Sequence, residues 1–388
     1  MSHEEELGWR AYFQSEIEQL RRENRLRHRG GLASASPQTV DFSSNDYLGL
    51  RSHPLIISAL QSPEASAWGS GASSVLSGWG EHHASLEHAI ADLSSMESAM
   101  VFSSGYAASV GTLAALLSPQ DLVFSDKLNH ACLIDGIRLS KARRQIYAHC
   151  DLVDLRQQLE NCSSHIGRKL IVTESIFSMD GDLAPLTELT QLAKEFDCAV
   201  VVDEAHATGV YGKRGGGLIE ELSLQQDVLL KLGTLSKALG GIGGFAAGSN
   251  ETITFLVNKC RSYLFSTAPP AASMQAALAA VSLTKEMTND RKRLRSVALN
   301  LREQLRQQGW QIPEGDSPII PVIVGGERVA IELSQRMAEA GFNIPAIRPP
   351  TVPVGTCRLR ISLSAKHSPE ELTRLIKTFG PPSSVASN

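Results

Sequence analysis

Short, continuous runs of apolar residues alternate with helix-like patterns over residues 45–285. The runs lack strict alternation of apolar and polar residues, which is typical of strands that helices cover on both faces. Seven runs are predicted as strands, at residues 99–103, 121–125, 145–148, 170–173, 199–202, 228–232 and 244–247. Because strands and helices alternate, the sequence predicts an α/β fold with a mostly parallel, doubly wound sheet of seven strands.

The two ends of the chain follow other patterns. Residues 5–29 have helical spacing and finish in a run of arginines, which suits the negative end of a helix dipole. After residue 285, a charged helical stretch (285–308) precedes strands at 319–324, 343–347 and 357–362 and helices at 328–340 and 369–378. We therefore predict three units: an N-terminal helix and extension (1–44), a large ligand-binding domain (45–285) and a small α+β domain (286–388).

Composition argues against several classes of function. The formal net charge of −4 over 388 residues gives no overall attraction to nucleic acid or to an anionic membrane. No apolar stretch approaches the ~20 residues that cross a bilayer, and the acidic N-terminus lacks the apolar core of a signal peptide. The six cysteines show no metal-binding or disulfide spacing, which favours a reducing compartment. We expect a cytoplasmic protein that binds neither membrane nor nucleic acid.

Two segments that follow predicted strands carry the main chemical signal. Lys237 lies between a strand and a glycine-rich turn, and Asp203 follows a strand about thirty residues earlier. Ligands of doubly wound sheets bind beyond the carboxyl ends of the strands, so the two side chains are expected to meet there. An amine can hold an aldehyde cofactor covalently, while a carboxylate can keep a ring nitrogen protonated. Together they predict a pyridoxal phosphate (PLP) site.

The same sheet edge receives further candidates, each with a plainer alternative. Residues 104–106 (Ser, Gly, Tyr) would place free backbone amides at a helix N-terminus, where a phosphate is stabilised, but they equally fit an ordinary helix start. His130 could present its ring to a pyridine, although a lone histidine is more often a surface or core residue. Thr234 and Ser236 could bind a phosphate or cap a helix.

Two competing interpretations rest on weaker patterns. Asp203 with His206, or His82 with His83, could ligate a metal, but neither pair has a third ligand at a recognised spacing. The glycine cluster at 240–244 mimics the dinucleotide fingerprint of an oxidoreductase, yet it precedes a strand instead of opening a helix. We expect no metal and a turn near the cofactor. A catalytically silent binding protein is a third class, disfavoured because the reactive lysine and its partners are retained.

Four segments carry a resemblance to a known family. Residues 43–50 (SSNDYLGL), 173–182 (TESIFSMDGD), 202–209 (VDEAHATG) and 234–237 (TLSK) closely resemble the α-oxoamine synthases. The resemblance spans about residues 7–380. It implies a fold-type-I PLP enzyme that condenses an amino acid with an acyl thioester.

The resemblance also implies roles for individual residues. Lys237 would bind the cofactor and later carry a proton, Asp203 would pair with the pyridinium nitrogen, and His130 would stack on the ring. His206 and Ser178 would hydrogen-bond the region of its phenolic oxygen. The phosphate would meet small and hydroxyl-bearing residues, namely Ser104, Gly105, Tyr106, Thr234, Ser236 and, reaching from the neighbouring chain, Ser266.

Residues 347–360 (IRPPTVPVGTCRLR) are similar to one branch of that family, which joins L-alanine to a pimeloyl thioester in biotin synthesis. The thioester carrier would be coenzyme A or acyl carrier protein. In that branch Arg360 would hold the amino-acid carboxylate, with Asn45 and Thr351 nearby. Arg27 would meet the acyl substrate, and Arg25 is an alternative register. The nearest rival is a glycine C-acetyltransferase, which uses glycine and acetyl-CoA.

Two segments depart from the family pattern. Ser74 stands where the family typically has an arginine. Residues 78–83 (GWGEHH) differ from the usual Gly-Tyr-x-x-x-His, although His83 keeps the histidine. Both segments lie near the expected subunit boundary. Because the family shares each site between two chains, the resemblance implies a homodimer.

Overall fold

The computed structural model describes residues 3–27, 39–61 and 67–382, with side chains from residue 8 onward. Its strands are Val40–Asp41 (β1), Ser98–Phe102 (β2), Leu122–Asp126 (β3), Arg143–Tyr147 (β4), Lys169–Glu174 (β5), Ala199–Asp203 (β6), Leu230–Thr234 (β7), Gly244–Gly248 (β8), Ile319–Gly325 (β9), Phe342–Asn343 (β10), Ala346–Ile347 (β11) and Cys357–Ser362 (β12).

Fourteen α-helices occur within those described ranges. They are His3–Arg22 (α1), Pro54–Leu60 (α2), Glu81–Ser94 (α3), Gly105–Leu116 (α4), Ala131–Ser140 (α5), Leu152–Asn161 (α6), Leu186–Glu195 (α7), Leu218–Glu221 (α8), Asn250–Lys259 (α9), Arg261–Leu264 (α10), Ala271–Glu286 (α11), Thr288–Gln307 (α12), Glu327–Glu339 (α13) and Pro369–Phe379 (α14). A single π-helical turn spans Ser74–Gly78.

The central sheet has seven strands in the order β2-β8-β7-β6-β5-β3-β4. Adjacent strands of this sheet pair in parallel except at β8, which runs antiparallel to both β2 and β7. All seven predicted strands are confirmed, each within two residues. Strands β3 and β8 are buried along their whole length, whereas the polar edge strand β4 is largely exposed. The charged residues of β4 protect that edge from pairing with another chain.

The C-terminal stretch forms a separate antiparallel sheet in the order β11-β12-β9, flanked by α12, α13 and α14. The single strand predicted at 343–347 is wrong, because the structure divides it into β10 and β11. Pro345, between them, has no N–H to donate. There the chain changes partners: β10 pairs with β1 and β11 pairs with β12.

Two predicted helices end or begin elsewhere. Helix α1 ends at Arg22 and not near residue 29, because Asn24 takes a left-handed backbone conformation (φ +54°) that terminates a helix. The charged helix begins at Thr288, after a break at Met287. Parts of the predicted N- and C-terminal units, residues 28–38 and 383–388, lie outside the described residues. The domain boundaries themselves stay predictions.

Within the residues that the structure describes, none of the helices combines the length and the apolar character needed to cross a bilayer.

Candidate active site

The predicted ligand edge of the sheet encloses a cavity of about 170 Å³. Segments that follow β2, β3, β5, β6 and β7 all contribute to its wall, because the carboxyl ends of parallel strands lie at one edge. The lining residues are Gly105, Tyr106, Ser109, His130, Cys132, Glu174, Asp203, Ala205, Gly233, Thr234 and Lys237. Six of the predicted site residues are therefore brought together in one place.

A chain of hydrogen bonds leads away from the amine of Lys237. Its Nζ lies 2.8 Å from Nε2 of His206, whose Nδ1 lies 2.6 Å from the hydroxyl of Tyr47. The hydroxyl of Tyr47 also lies 3.2 Å from Oδ1 of Asn45. When Tyr47 donates its single O–H to Asn45, its oxygen accepts the proton on Nδ1 of His206. Nε2 of His206 is then free to accept a hydrogen bond from Lys237. Arg360 also donates to Oδ1 of Asn45, at 3.1 Å.

Burial sets the charge of these groups. It lowers the pKa of Lys237 to about 8, although Asp203 and Glu174 oppose the shift. It also lowers the pKa of His206 well below its ordinary value, helped by the neighbouring Lys237 and Arg360. The pKa of Tyr47 rises to about 12 for the same reason. The amine can thus lose a proton near neutral pH, while His206 stays neutral.

Two carboxyl groups lie at adjacent strand ends. Asp203 and Glu174 are direct partners in the register of β6 and β5, and both are buried. Oδ1 of Asp203 accepts the amide of Ala205 at 2.9 Å, and Oε1 of Glu174 accepts the amide of His130 at 2.6 Å. Burial, reinforced by the charge of Asp203, raises the pKa of Glu174 well above its usual range. Glu174 therefore anchors the backbone of His130.

The N-terminus of α4 forms one wall of the cavity. Gly105 and Tyr106, its first two residues, line the cavity, and amides in a first helical turn lack intrahelical acceptors. Ser104 accepts the amide of Ala107 at 3.1 Å, so its hydroxyl acts as the helix cap. A Cβ at Gly105 would lie 3.2 Å from the side chain of Thr234, which leaves little room for a larger residue.

Two hydroxyls predicted to bind the phosphate, one at the end of β7 and one just after it, share one acceptor. Oγ1 of Thr234 donates to the carbonyl of Gly243 at 2.8 Å, and Oγ of Ser236 donates to the same carbonyl at 3.3 Å. Gly243 belongs to the glycine cluster, which turns between the antiparallel strands β7 and β8. The cluster therefore lacks the strand–glycines–helix order of a dinucleotide site.

Arg360 lies beside the cavity with most of its donors engaged. Its Nε donates to the carbonyl of Ser178 at 2.6 Å, and Nη1 donates to Asn45 and Ser362. A bidentate fork for a substrate carboxylate is therefore not preformed. The carboxylate must meet Nη2 or displace a protein acceptor from Nη1. The structure brings Arg360 into contact with Asn45, one of the two residues predicted near it, and with Ser178. Thr351, the other predicted neighbour, lines a second cavity.

A second cavity of about 170 Å³ adjoins these residues. It is lined by Leu128, Phe177, Ser178, Met179, Asp180, Thr351, Val352, Pro353, Thr356 and Arg358. Nη2 of Arg27 donates to Oγ1 of Thr351 at 3.0 Å, at the edge of this cavity. Arg25 instead forms ion pairs with Glu23 and Glu327. The geometry favours Arg27 over Arg25 as the arginine that faces the cavity.

Ser266 lies outside the lining of both cavities. It belongs to a surface segment held near residues 70–83, where Ser73 pairs with Thr267 and His83 Nε2 contacts the carbonyl of Pro269 at 2.8 Å. Several large apolar side chains are exposed in these two segments, namely Val75, Leu76, Trp79 and Phe265, and Trp68 is exposed just before them.

A larger surface cleft of about 680 Å³ lies at the opposite edge of the sheet, near the amino ends of β5 and β6. Its cationic groups are already engaged, since Arg168 donates to Asp121 and Lys169 donates to the carbonyl of Phe196. The cleft therefore differs from the cavity around Lys237, where the amine lies beside a buried carboxylate and an imidazole ring.

The groups around Lys237 fit a phosphorylated aromatic aldehyde. The cavity offers an amine, a carboxylate, an imidazole ring and a helix N-terminus within one enclosed space. These match an aldehyde, a ring nitrogen, a ring face and a phosphate in turn. Sequence reasoning missed Tyr47, Ser109, Cys132 and Glu174. Tyr47 and Glu174 were within reach, since both fall inside the segments that carry the family resemblance.

Comparison with known proteins agrees with this geometry. The chain matches the family described as aminotransferase class I and II over residues 37–379. It is 42% identical over 371 residues to the 8-amino-7-oxononanoate synthase of Pelobacter propionicus, covering 93% of this chain and 95% of that protein. A solved 8-amino-7-oxononanoate synthase from Francisella tularensis has a TM-score of 0.77 and 27% identity, covering 88% of this chain and 97% of that one. A serine palmitoyltransferase from Sphingomonas wittichii has a TM-score of 0.84 and 32% identity, covering 88% of this chain and 86% of that one. A structure of SPT with PLP has the same TM-score and coverage at 30% identity.

Proposed function

The chain belongs to the aminotransferase class I and II family, as a PLP-dependent acyltransferase, and on that premise we propose that it joins L-alanine to a pimeloyl thioester. The products are 8-amino-7-oxononanoate, carbon dioxide and the free thiol carrier, in biotin synthesis. One observation carries the proposal: Lys237, Asp203 and His130 line a single cavity, and the amine of Lys237 contacts His206.

PLP, when bound, supplies an electron sink for the carbanion left at the α-carbon of the amino acid. Lys237 would hold the cofactor and then move the α-proton at Nζ, which its pKa of about 8 permits near neutral pH. His206 would orient that amine through Nε2. Asp203 would keep the ring nitrogen protonated, and His130 would pack against the ring face.

The second cavity supports the choice of acyl donor. It adjoins Ser178 and is walled largely by apolar atoms of Phe177, Met179, Val352 and Pro353. A pimeloyl chain has enough methylene groups to fill such a space, whereas an acetyl group does not. Arg27, at the edge of the cavity, would meet the polar part of the thioester substrate. These features favour the pimeloyl reaction over the glycine and acetyl-CoA reaction.

The substrate proposal is tested with purified PLP-loaded protein. Alanine is supplied with pimeloyl-CoA or with the pimeloyl carrier protein, and the product is followed by mass. We expect 8-amino-7-oxononanoate from at least one donor, and no product with Lys237→Ala. Product from glycine with acetyl-CoA alone would overturn the substrate assignment and leave the cofactor assignment standing.

The proposed assembly is a homodimer that shares its sites. The exposed apolar side chains around Leu76 and Phe265 form a face that a second copy would cover. Ser266, which lies on this face and away from its own cavity, would then reach the phosphate of the partner's cofactor. Sedimentation should give a mass of twice 41.9 kDa, and Phe265→Asp should lower it. A wild-type monomer that turns over substrate would refute the shared site.

A cytoplasmic location stays a prediction from composition.

A further inference from the structure

His130 makes two contacts through one ring nitrogen. It caps α5, and its Nδ1 accepts the backbone amide of Cys132 at 3.2 Å. The same Nδ1 lies 2.9 Å from Sγ of Cys132. A backbone amide can only donate, so Nδ1 must carry a lone pair and no proton. The sulfur contact is then a hydrogen bond only if the thiol donates to Nδ1.

The thiol is in the state that this contact requires. Cys132 is 4% exposed, and burial raises its pKa to about 12, so it keeps its proton near neutral pH. Burial also lowers the pKa of His130, which favours the neutral ring. With Nδ1 unprotonated, the proton of a neutral imidazole must be on Nε2.

We propose that Cys132 is a positioning residue that fixes His130 in the Nε2–H tautomer, so that the ring offers a hydrogen-bond donor and not an acceptor. Cys132 does so with two groups, its thiol and its backbone amide. The inference rests on the proposed function only in taking the cavity around Lys237 as the reactive site.

The tautomer matters because the site contains a second imidazole of the opposite kind. His206 carries its proton on Nδ1 and accepts through Nε2 when Tyr47 donates its hydroxyl proton to Asn45. His130 carries its proton on Nε2. One ring therefore accepts a hydrogen bond from the amine of Lys237, while the other donates a hydrogen bond. A histidine at position 130 with the other tautomer would have no donor at Nε2.

Charged groups from neighbouring elements also face His130. Asp203 on β6 raises its pKa, and Lys237 after β7 lowers it. Glu174 on β5 binds its backbone amide, and His206 lies in the same electrostatic neighbourhood. The hydroxyl of Ser109 lies between the two sides, hydrogen-bonded to Cys132 and 3.5 Å from Oδ2 of Asp203. When its single proton is donated to Sγ, the thiol proton stays available for Nδ1 of His130. Loss of the thiol alone leaves all of these charges in place.

The direct test is the protonation of the ring nitrogens in the PLP-loaded protein. Histidine labelled with ¹⁵N reports each nitrogen by NMR, and His130→Asn identifies the signals of His130 by their loss. We expect Nδ1 unprotonated and Nε2 protonated at pH 7.5. A protonated Nδ1 in the wild type at pH 7.5 would overturn the proposal.

Three variants separate the thiol from the rest of the residue. Cys132→Val keeps the volume without a donor, Cys132→Ala removes both, and Cys132→Ser restores a hydroxyl donor. A hydrogen bond donated to Nδ1 of the neutral ring opposes protonation of that nitrogen. Cys132→Val removes the bond, so the measured pKa of His130 should rise by about half to one pH unit. Cys132→Ser should titrate close to the wild type. We expect kcat at pH 7 to fall by about three- to tenfold in Cys132→Val and to recover in Cys132→Ser, with PLP affinity unchanged.

Structural damage is recognised separately. Thermal unfolding and PLP binding by absorbance are measured on every variant, and Cys132→Ala replaces Cys132→Val if the latter does not fold. An identical titration of His130 in wild type, Cys132→Ser and Cys132→Ala would refute a role for the thiol. Since the NMR needs no turnover, the tautomer can be found as expected even where the pimeloyl reaction fails, and the two ideas fail independently.

Discussion

Histidine has opposite charge states in two regions of the molecule, the cavity around Lys237 and the surroundings of His149. In the cavity, burial lowers the pKa of His130 and His206, so both rings are neutral near pH 7. In the second region, His149 lies between two carboxylates, with Nδ1 2.9 Å from Asp126 and Nε2 2.7 Å from Asp182. We call these three residues the histidine clamp. Its aspartates raise the pKa of His149 to about 12, against a lowering by burial.

The clamp supports the turn that carries Ser178. Asp182 closes that turn, since its carbonyl accepts the amide of Phe177, and the ring of His149 packs edge-on against Phe177. Asp126 ends β3 and accepts the amide of Leu128, just before His130. One imidazolium thus ties together the segments that present two predicted site residues. Although Asp126, His149 and Cys150 have the spacing of a metal cluster, both ring nitrogens already face carboxylates.

The contrast shows that neighbours, not residue type, decide the charge. His149 keeps part of its surface exposed and has a carboxylate within 3 Å of each nitrogen, so the charged form is favoured. His206 is buried and faces Lys237 and Arg360, so the charged form is disfavoured. Neutral rings suit proton transfer, while a charged ring suits a fixed structural contact.

Removing the anion of the cavity should produce the largest effect. Asp203→Asn leaves the shape but removes the charge expected to hold the ring nitrogen protonated. We expect kcat to fall by about 100- to 1,000-fold, as for the loss of one preorganised electrostatic contact. Steady-state kinetics and PLP titration by absorbance measure it. Ser109→Ala removes the 3.5 Å contact to Asp203 and the hydrogen bond to Cys132 but no charge, so kcat should stay within about threefold of wild type. Wild-type kcat in Asp203→Asn would contradict the assignment.

Breaking the clamp should mainly affect stability. His149→Gln leaves Asp126 and Asp182 without their shared cation, and we expect the free energy of unfolding to fall by about 2 kcal/mol. Because the folded pKa of His149 is raised, its stabilisation is fully present below the unfolded value of 6.5 and declines as pH rises towards 12. Urea unfolding should therefore show a larger difference at pH 6 than at pH 9.

The matched control for the clamp is an ion pair at the surface. Arg156 and Glu195 form two short hydrogen bonds but are both exposed. Glu195→Gln should cause no measurable change in the urea midpoint, because solvent screens such pairs. An equal loss in Glu195→Gln and His149→Gln, or no pH dependence in the latter, would refute the charged clamp.

The smallest predicted effect concerns His206. Its effect on stability appears as the pH falls, whereas that of His149 declines as the pH rises. Its folded pKa is lowered, so the folded state resists protonation and loses stability as pH falls below the unfolded value of 6.5. The loss is at most about 1.4 kcal/mol per pH unit for one such group. His206→Asn should flatten the decline in unfolding free energy between pH 6.5 and 5. An unchanged slope in this variant would mean that His206 is protonated in the folded protein.

The sheet was predictable because its signal is local. Continuous apolar runs such as β6 are long enough to identify as strands, and the residue types at their ends pointed to one ligand edge. The prediction of a single strand at 343–347 was wrong because the strand is interrupted at Pro345, where the chain exchanges one pairing partner for another. Propensity within a few residues cannot report which distant strand takes the pairing.

Site membership was harder to predict than residue type. Lys237, Asp203 and His130 were predicted because each lies at or after the end of a strand and its side-chain type suits a role in the site. Tyr47 joins the site through a bond across 159 residues of sequence, and Cys132 through its contact with the ring of His130. Neither side chain carries a pattern of its own.

The sequence by itself determined the α/β class, the positions of the seven central strands and the placing of Lys237 and Asp203 at their ends, because these follow from local periodicity and from the geometry of parallel sheets. Only the tertiary structure decided that His149 is charged while His130 and His206 are neutral. The physical reason is that protonation depends on burial and on charges within a few ångströms, which distant parts of the chain supply.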